Sequence, residues 1–115
     1  NNPSIELIFT NLVDTDMIYG HRRDPKGYGT SLEEIDTYMD KIMSLTTKDD
    51  LLIITADHGC DPTAPGSDHT REMVPLLVYN PELAVENIGT KESFTYVAKM
   101  LSDWYGIQAD PTWTN

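Results

Sequence analysis

With 115 residues, 39% of them hydrophobic and 23% charged, the chain holds enough apolar material for one globular domain and too much for a disordered segment. Nineteen acids against eight bases give a formal charge of −11, which leaves no basic stripe to neutralise phosphates and so excludes nucleic acid as a partner. No apolar run approaches the roughly 20 residues that span a bilayer, and no basic-then-apolar secretory start is visible, so neither membrane insertion nor export is expected.

In chain order, Asn-Asn-Pro-Ser reads as the middle of a longer polypeptide. Ile5–Leu12, inside the apolar run SIELIFTNLV, is expected to form a strand leading into Asp14 and Asp16, which share one face of an extended backbone. The segment HRRDPKGYG that follows has the composition of a loop. Thr30 or Ser31 then caps a helix, with Glu33 or Glu34 at the capping-box position. Leu32, Ile35, Met39, Ile42 and Met43 recur at helical spacing and give that helix one core-facing side.

Thr46–Asp50 is a turn, and Leu51–Ala56 is short, continuously apolar and bounded by polar residues, the pattern of a buried strand. Strand, helix and strand have the length of a parallel crossover. Its right-handed sense brings Asp16 and Asp57 to one sheet edge. Gly59 then frees a sharp turn, so that Asp57 and His58 face one crevice, at the strand end where open α/β sheets hold ligands.

Asp61–Glu72 is a long polar loop of the kind that carries function. Met73–Tyr79 reads as a strand that Pro75 makes an edge or an irregular start. After a loop at Asn80–Gly89, a last helix begins near Thr90–Ser93 and buries Phe94, Val97, Ala98, Leu101 and Trp104 or Tyr105. It stops at Gly106, ahead of a tail that Trp113 pins. With no repeat and no internal boundary, residues 1–115 read as one α/β unit with a mostly parallel sheet.

The chemistry sits in three histidines, each with an acid close by: Asp16 near His21, Asp57 beside His58, and Asp68 beside His69. Carboxylate oxygens and imidazole nitrogens suit Mn²⁺, Zn²⁺ or Fe²⁺, and the lack of clustered thiolates argues against a structural zinc knot. Taken singly, each histidine is explained as a hydrogen-bonded loop or core residue; the set of three points to a metal centre. A surplus of carboxylates does not exclude a phosphorylated substrate, because bound divalent cations reverse the local sign. The one cysteine, Cys60, cannot close an internal disulfide, which favours a reducing, cytoplasmic setting. Beside the site it reads as a small, partly covered thiol rather than a ligand. Arg22 and Arg23 offer guanidinium forks to a phosphate, or else pair with Asp24, Asp14 or other acids and orient the ligand loop. Arg71 with Glu72 reads as a brace for His69, and Tyr19 and Tyr28 as packing residues.

The runs NLVDTDMIYGHRRD at Asn11–Asp24, TADHGCDPT at Thr55–Thr63 and DHTREMVPLLVY at Asp68–Tyr79 resemble the C-terminal part of the phosphopentomutase family, within the alkaline phosphatase superfamily. TADHG alone marks the superfamily; GHRRD and DHTRE-x-x-P narrow it. The resemblance implies a partial α/β/α sandwich: the C-terminal segment of a metal-binding core domain, with the N-terminal core segment and the cap outside residues 1–115. It implies two divalent metals, usually manganese, with Asp16, His21 and His69 on one and Asp57 and His58 contributing to the other. Asp14 is left as a neighbouring group or an alternative ligand. The implied reaction interconverts ribose or deoxyribose 1-phosphate and 5-phosphate in nucleoside catabolism, through a phosphothreonine enzyme and a sugar bisphosphate activator. The nucleophilic threonine belongs to the N-terminal part, so no catalytic residue is assigned to Thr10, Thr15, Thr63 or Thr70, and the chain by itself is expected to be inactive. The rivals are a cofactor-independent phosphoglycerate mutase, a metal-dependent phosphatase and, for the chain alone, a non-catalytic acidic metal-binding module.

Overall fold

Asp24 and Pro25 set the start of the longest element. Proline at the first helical position lacks only an N–H that would be orphaned there, and its fixed φ suits the helix. Asp24 caps it, its Oδ1 accepting from the Gly27 N–H at 2.9 Å. The computed structural model, which describes residues 6–113, accordingly places helix α1 at Pro25–Leu45. The expected loop HRRDPKGYG is therefore corrected: its last five residues are the first turn and more of α1. Glycines at 27 and 29 are poor helix formers, yet the cap and the proline outweigh them.

The strands are β1, Leu52–Thr55, and β2, Leu76–Tyr79, with β2 beginning just after Pro75 as that residue's missing N–H requires. They pair antiparallel in the register Leu52↔Tyr79 to Thr55↔Leu76. The α/β class stands, but the expectation of a mostly parallel sheet does not describe this strand pair. The expected crossover has no first strand, because residues 6–13 adopt no regular structure and Ile5 lies outside the described residues. Leu7, Ile8, Phe9 and Leu12 stand exposed, Phe9 by 88%. High β-propensity makes a strand only where another strand pairs with its N–H and C=O groups, and among the described residues no strand does so; the Tyr105 hydroxyl donates to the Glu6 carbonyl instead. Asp14 and Asp16 also lose their shared extended face, since the backbone from Asp14 onward is helical.

Asn80, 5% exposed, ties the sheet to the turn before it. Its Nδ2 donates to the carbonyls of Lys48 at 2.8 Å and Asp50 at 2.9 Å, while its Oδ1 accepts from the Glu82 N–H at 2.8 Å. In the same turn Asp50 accepts from the backbone N–H and the hydroxyl of Thr47, at 2.8 and 2.7 Å. Those hydrogen bonds, the backbone one first, hold its carboxyl below the ordinary aspartate range. A depressed folded pKa means that this turn's stabilisation is present above the ordinary range and is lost as pH falls through the depressed value. We expect the Thr47 amide resonance to titrate below the ordinary aspartate range and the Asp50→Asn chain to lose that titration; an ordinary midpoint in the wild type would count against the cap.

Helix α2, Thr95–Tyr105, follows a Ser93 whose hydroxyl accepts from the Thr95 N–H at 3.2 Å, and it ends at Gly106 in the left-handed conformation, φ 66°. The expected start near Thr90–Ser93 falls a little early and the stop at Gly106 agrees. Its apolar side is only half covered: Val97, Ala98 and Leu101 are intermediate, and Phe94, Trp104 and Tyr105 are exposed. The same holds along α1, where Leu32 and Ile42 are exposed and Met39 and Met43 half-buried. The core expected from both stripes is thus open; no hydrophobic side chain is fully buried among the described residues. The accessible area is 9114 Å², against about 6,300 Å² for a self-contained protein of this mass. The radius of gyration is 16.0 Å, against about 13 Å for a compact chain of this length. No helix among the described residues is long and apolar enough to cross a membrane.

Candidate metal centre

A widened helical turn and a loop bridge bring the three histidines to one carboxylate. Thr15–Gly20 forms a π-helical turn in which the His21 N–H donates to the Asp16 carbonyl at 2.9 Å. This five-residue step places His21 above Asp16 on one side of the turn; such widened turns occur often at functional sites. Gly20 is buried there, and a Cβ on it would meet Cys60 Sγ at 2.8 Å. His58 follows β1 by three residues. His69 arrives through an isolated antiparallel bridge between Gly59 and Thr70, with Thr70 Oγ1 accepting from the Asp61 N–H at 2.6 Å.

The resulting distances are short. His21 Nε2 lies 3.4 Å from Asp16 Oδ2; His69 Nε2 and His58 Nε2 lie 3.5 and 3.8 Å from Asp16 Oδ1. His69 Nε2 is 3.3 Å from His21 Nε2. The His58 and His69 rings stack with centroids 3.6 Å apart and planes 12° from parallel. One ligand atom each from Asp16, His58 and His69 falls within 4.8 Å of the others.

Two carbonyls set the tautomers. His21 Nδ1 sits 2.6 Å from the Ser67 carbonyl and His58 Nδ1 2.9 Å from the Gly59 carbonyl. A carbonyl only accepts, so each Nδ1 carries a proton, which leaves Nε2, the nitrogen turned toward Asp16, as the one that can offer a lone pair to a metal. Such fixing of the far nitrogen is how proteins orient histidine ligands.

Imidazole lone pairs and a carboxylate facing one another are the donors that a cation between them satisfies. Asp16 Oδ1 is buried and has no hydrogen-bond partner, a condition that costs about 1–3 kcal/mol when nothing offsets it. Two ligands each roughly 2.1 Å from a tetrahedral ion are about 3.4 Å apart, close to the 3.3–3.5 Å spacings among Asp16, His21 and His69. Donor set, orphaned oxygen and spacing therefore fit a divalent ion of nitrogen and oxygen preference.

Asp57 stands apart from this cluster. Its side chain is 87% exposed, and Oδ1 lies 3.6 Å from His58 Nε2, which places His58 between the two aspartates. Asp57 and His58 face an open cleft of about 730 Å³ that Arg71, Glu72, Lys91 and Phe94 also line. Asp14 is exposed and makes no side-chain cap. Arg71 makes no hydrogen bond to His69 among the described residues, so the expected brace is absent. Tyr19 packs its ring on Gly27, where a Cβ would meet it at 2.4 Å. Burial first, then the charge of Asp16, push the Cys60 thiol up, in keeping with a protonated, partly covered side chain. Sequence reasoning missed the Ser67 and Gly59 carbonyls, which no residue type announces. It also missed that Arg23 binds carbonyls rather than acids.

A family profile described as the metalloenzyme superfamily matches residues 1–109. The chain is 54% identical over 103 residues to the phosphopentomutase of Carboxydothermus hydrogenoformans, an overlap that covers 89% of this chain and 26% of that protein. It is 50% identical over 107 residues to the phosphopentomutase of Pseudoalteromonas translucida, covering 93% and 26%. The corresponding protein of Syntrophotalea carbinolica is 52% identical over 103 residues, covering 89% and 26%. The chain spans about a quarter of the length of the curated relatives it matches.

Proposed function

Because the chain belongs to the metalloenzyme superfamily, we propose that it is the metal-holding C-terminal segment of the core domain of a phosphopentomutase. The activity is that of an isomerase-class phosphotransferase interconverting ribose or deoxyribose 1-phosphate and 5-phosphate in the cytoplasm, in nucleoside catabolism. The observation that carries this reading is the convergence of three imidazole Nε2 atoms on the two oxygens of Asp16.

In this reading Asp16, His21 and His69 hold one Mn²⁺, and Asp57 and His58 contribute to a second. A pair of such ions supplies charge neutralisation and in-line clamping for a transferring phosphoryl group. The residues of this chain do the positioning. Ser67 and Gly59 hold the proton on Nδ1 of His21 and His58, and the exposed oxygens of Asp57 open onto the cleft where a phosphorylated pentose has room. The phosphorylated threonine and the remaining metal-binding aspartate belong to the N-terminal core segment, with a sugar bisphosphate as activator. The excess of roughly 2,800 Å² of exposed area over a self-contained protein supports such a partner, since obligate interfaces bury 2,000 Å² and more.

The test replaces the matching quarter of the Carboxydothermus protein with this chain and assays ribose 1-phosphate against ribose 5-phosphate in Mn²⁺. Interconversion is expected from the chimera, and none from the 115 residues alone or from a chimera carrying His21→Ala and His69→Ala. A folded, Mn²⁺-loaded chimera without mutase turnover, or an active isolated chain, would overturn the proposal.

A further inference from the structure

Arg23 adopts a left-handed backbone, φ 52°, the one non-glycine residue to do so among those described. Side chains bearing a Cβ seldom adopt that conformation unless their surroundings hold them there. Here the guanidinium does so. Nε donates to the Gly66 carbonyl at 2.6 Å, Nη1 to the Asp61 carbonyl at 2.5 Å, and Nη2 to the Asp68 carbonyl. One planar fork thus gathers three carbonyls spread over eight residues. The loop it gathers has no strand or helix of its own, and most of it is exposed. Its last bound carbonyl belongs to the residue just before His69. Arg23 itself sits two residues after His21 and is tied by its N–H to the Gly20 carbonyl at 3.1 Å.

We infer that Arg23 is a positioning residue: its guanidinium fastens the loop that carries His69 to the turn that carries Asp16 and His21, and so sets the spacing of the ligands. This rests on the metal reading given above. The chemistry calls for arginine, because five donors fixed in a plane reach three separated acceptors, whereas a lysine ammonium is a point donor on a flexible stem. Neighbouring Arg22 is exposed and makes no such bonds among the described residues, which makes it the internal control.

The experiment compares the wild-type chain with Arg23→Lys, Arg23→Gly and Arg22→Lys by Co²⁺ titration, amide hydrogen exchange without metal and far-UV circular dichroism. Glycine tolerates the left-handed backbone, so Arg23→Gly removes the fork without adding strain. Both Arg23 variants are expected to bind Co²⁺ about 10–100-fold more weakly. They should exchange the amides of residues 61–69 at least about tenfold faster, with unchanged helix signal; Arg22→Lys should match the wild type. Wild-type binding in Arg23→Gly, weaker binding without faster loop exchange, or a general loss of helix would each overturn the positioning role. A wild-type chain that binds no Co²⁺ would instead overturn the metal reading, and exchange in the metal-free chains would still decide whether Arg23 fastens the loop.

Discussion

Asp16→Ala is expected to weaken Mn²⁺ and Co²⁺ binding by more than about a hundredfold, beyond the 10–100-fold cost of disturbing an outer-sphere partner. Asp16 is the one carboxylate that all three histidines face, with Oδ2 toward His21 and Oδ1 toward His58 and His69. Without it the donors left beside His21 and His69 are imidazole nitrogens, and the carboxylate charge nearest the cation is gone, Asp57 lying on the far side of His58. Asp16→Asn separates charge from shape: it keeps one oxygen and the side chain's volume, so it should fall between wild type and alanine. Asp14→Ala, two residues away and exposed, should leave affinity unchanged. Titration calorimetry on the four chains decides the matter. Wild-type affinity in Asp16→Ala would remove Asp16 from the centre, and a loss in Asp14→Ala of equal size would point to bulk charge instead of coordination.

A methyl group at Gly59 is expected to cost stability and metal affinity together. A Cβ there would lie 2.5 Å from the Glu72 nitrogen, 2.6 Å from the Glu72 carbonyl oxygen and 2.8 Å from the Thr70 carbonyl oxygen. All three are backbone atoms, so no side chain can swing away; the two segments must separate. Overpacking of this kind costs about 1–3 kcal/mol, a fall in Tm of roughly 10 °C for a chain of this size. Separation also strains the Gly59–Thr70 bridge and pulls His58 away from His69, so Co²⁺ affinity should drop in the same variant. Thermal melting and Co²⁺ titration of Gly59→Ala check both arms. A variant that melts and binds as wild type would mean that the two segments are not held this closely.

Gly59 also shows what a sequence can and cannot display. The residues around it were readable: the strand Leu51–Ala56 is observed at Leu52–Thr55, and the acids and histidines on either side announced a metal centre by type alone. The reason for the glycine was not readable. It does not have the positive φ of Gly66 or Gly106; it is needed because another backbone passes against it, a contact made eleven to thirteen residues away. Local signals failed where a long-range partner decides. Residues 6–12 carry every propensity of a strand yet no described strand pairs with them, and the parallel crossover built on that strand went with it. At Asp24-Pro25 the local signal was present and outweighed in the reading by two glycines. That Arg22 or Arg23 orients the ligand loop was readable, but the acceptors of Arg23 and the tautomer-setting carbonyls were not, since every residue has a carbonyl and only the fold says which ones a guanidinium or an imidazole meets.

Leu7, Phe9, Leu77 and Val85 all stand in water, and two copies that collide gain by hiding such side chains from it. What opposes the collision is the net charge of −11 carried by each copy. That repulsion reaches about 10 Å at 0.1 M salt and about 3 Å at 1 M, whereas apolar attraction persists. Colloidal dispersity of this chain is therefore an ionic-strength property: dilute buffer keeps the molecules apart, and concentrated salt lets their bare faces find one another and precipitate.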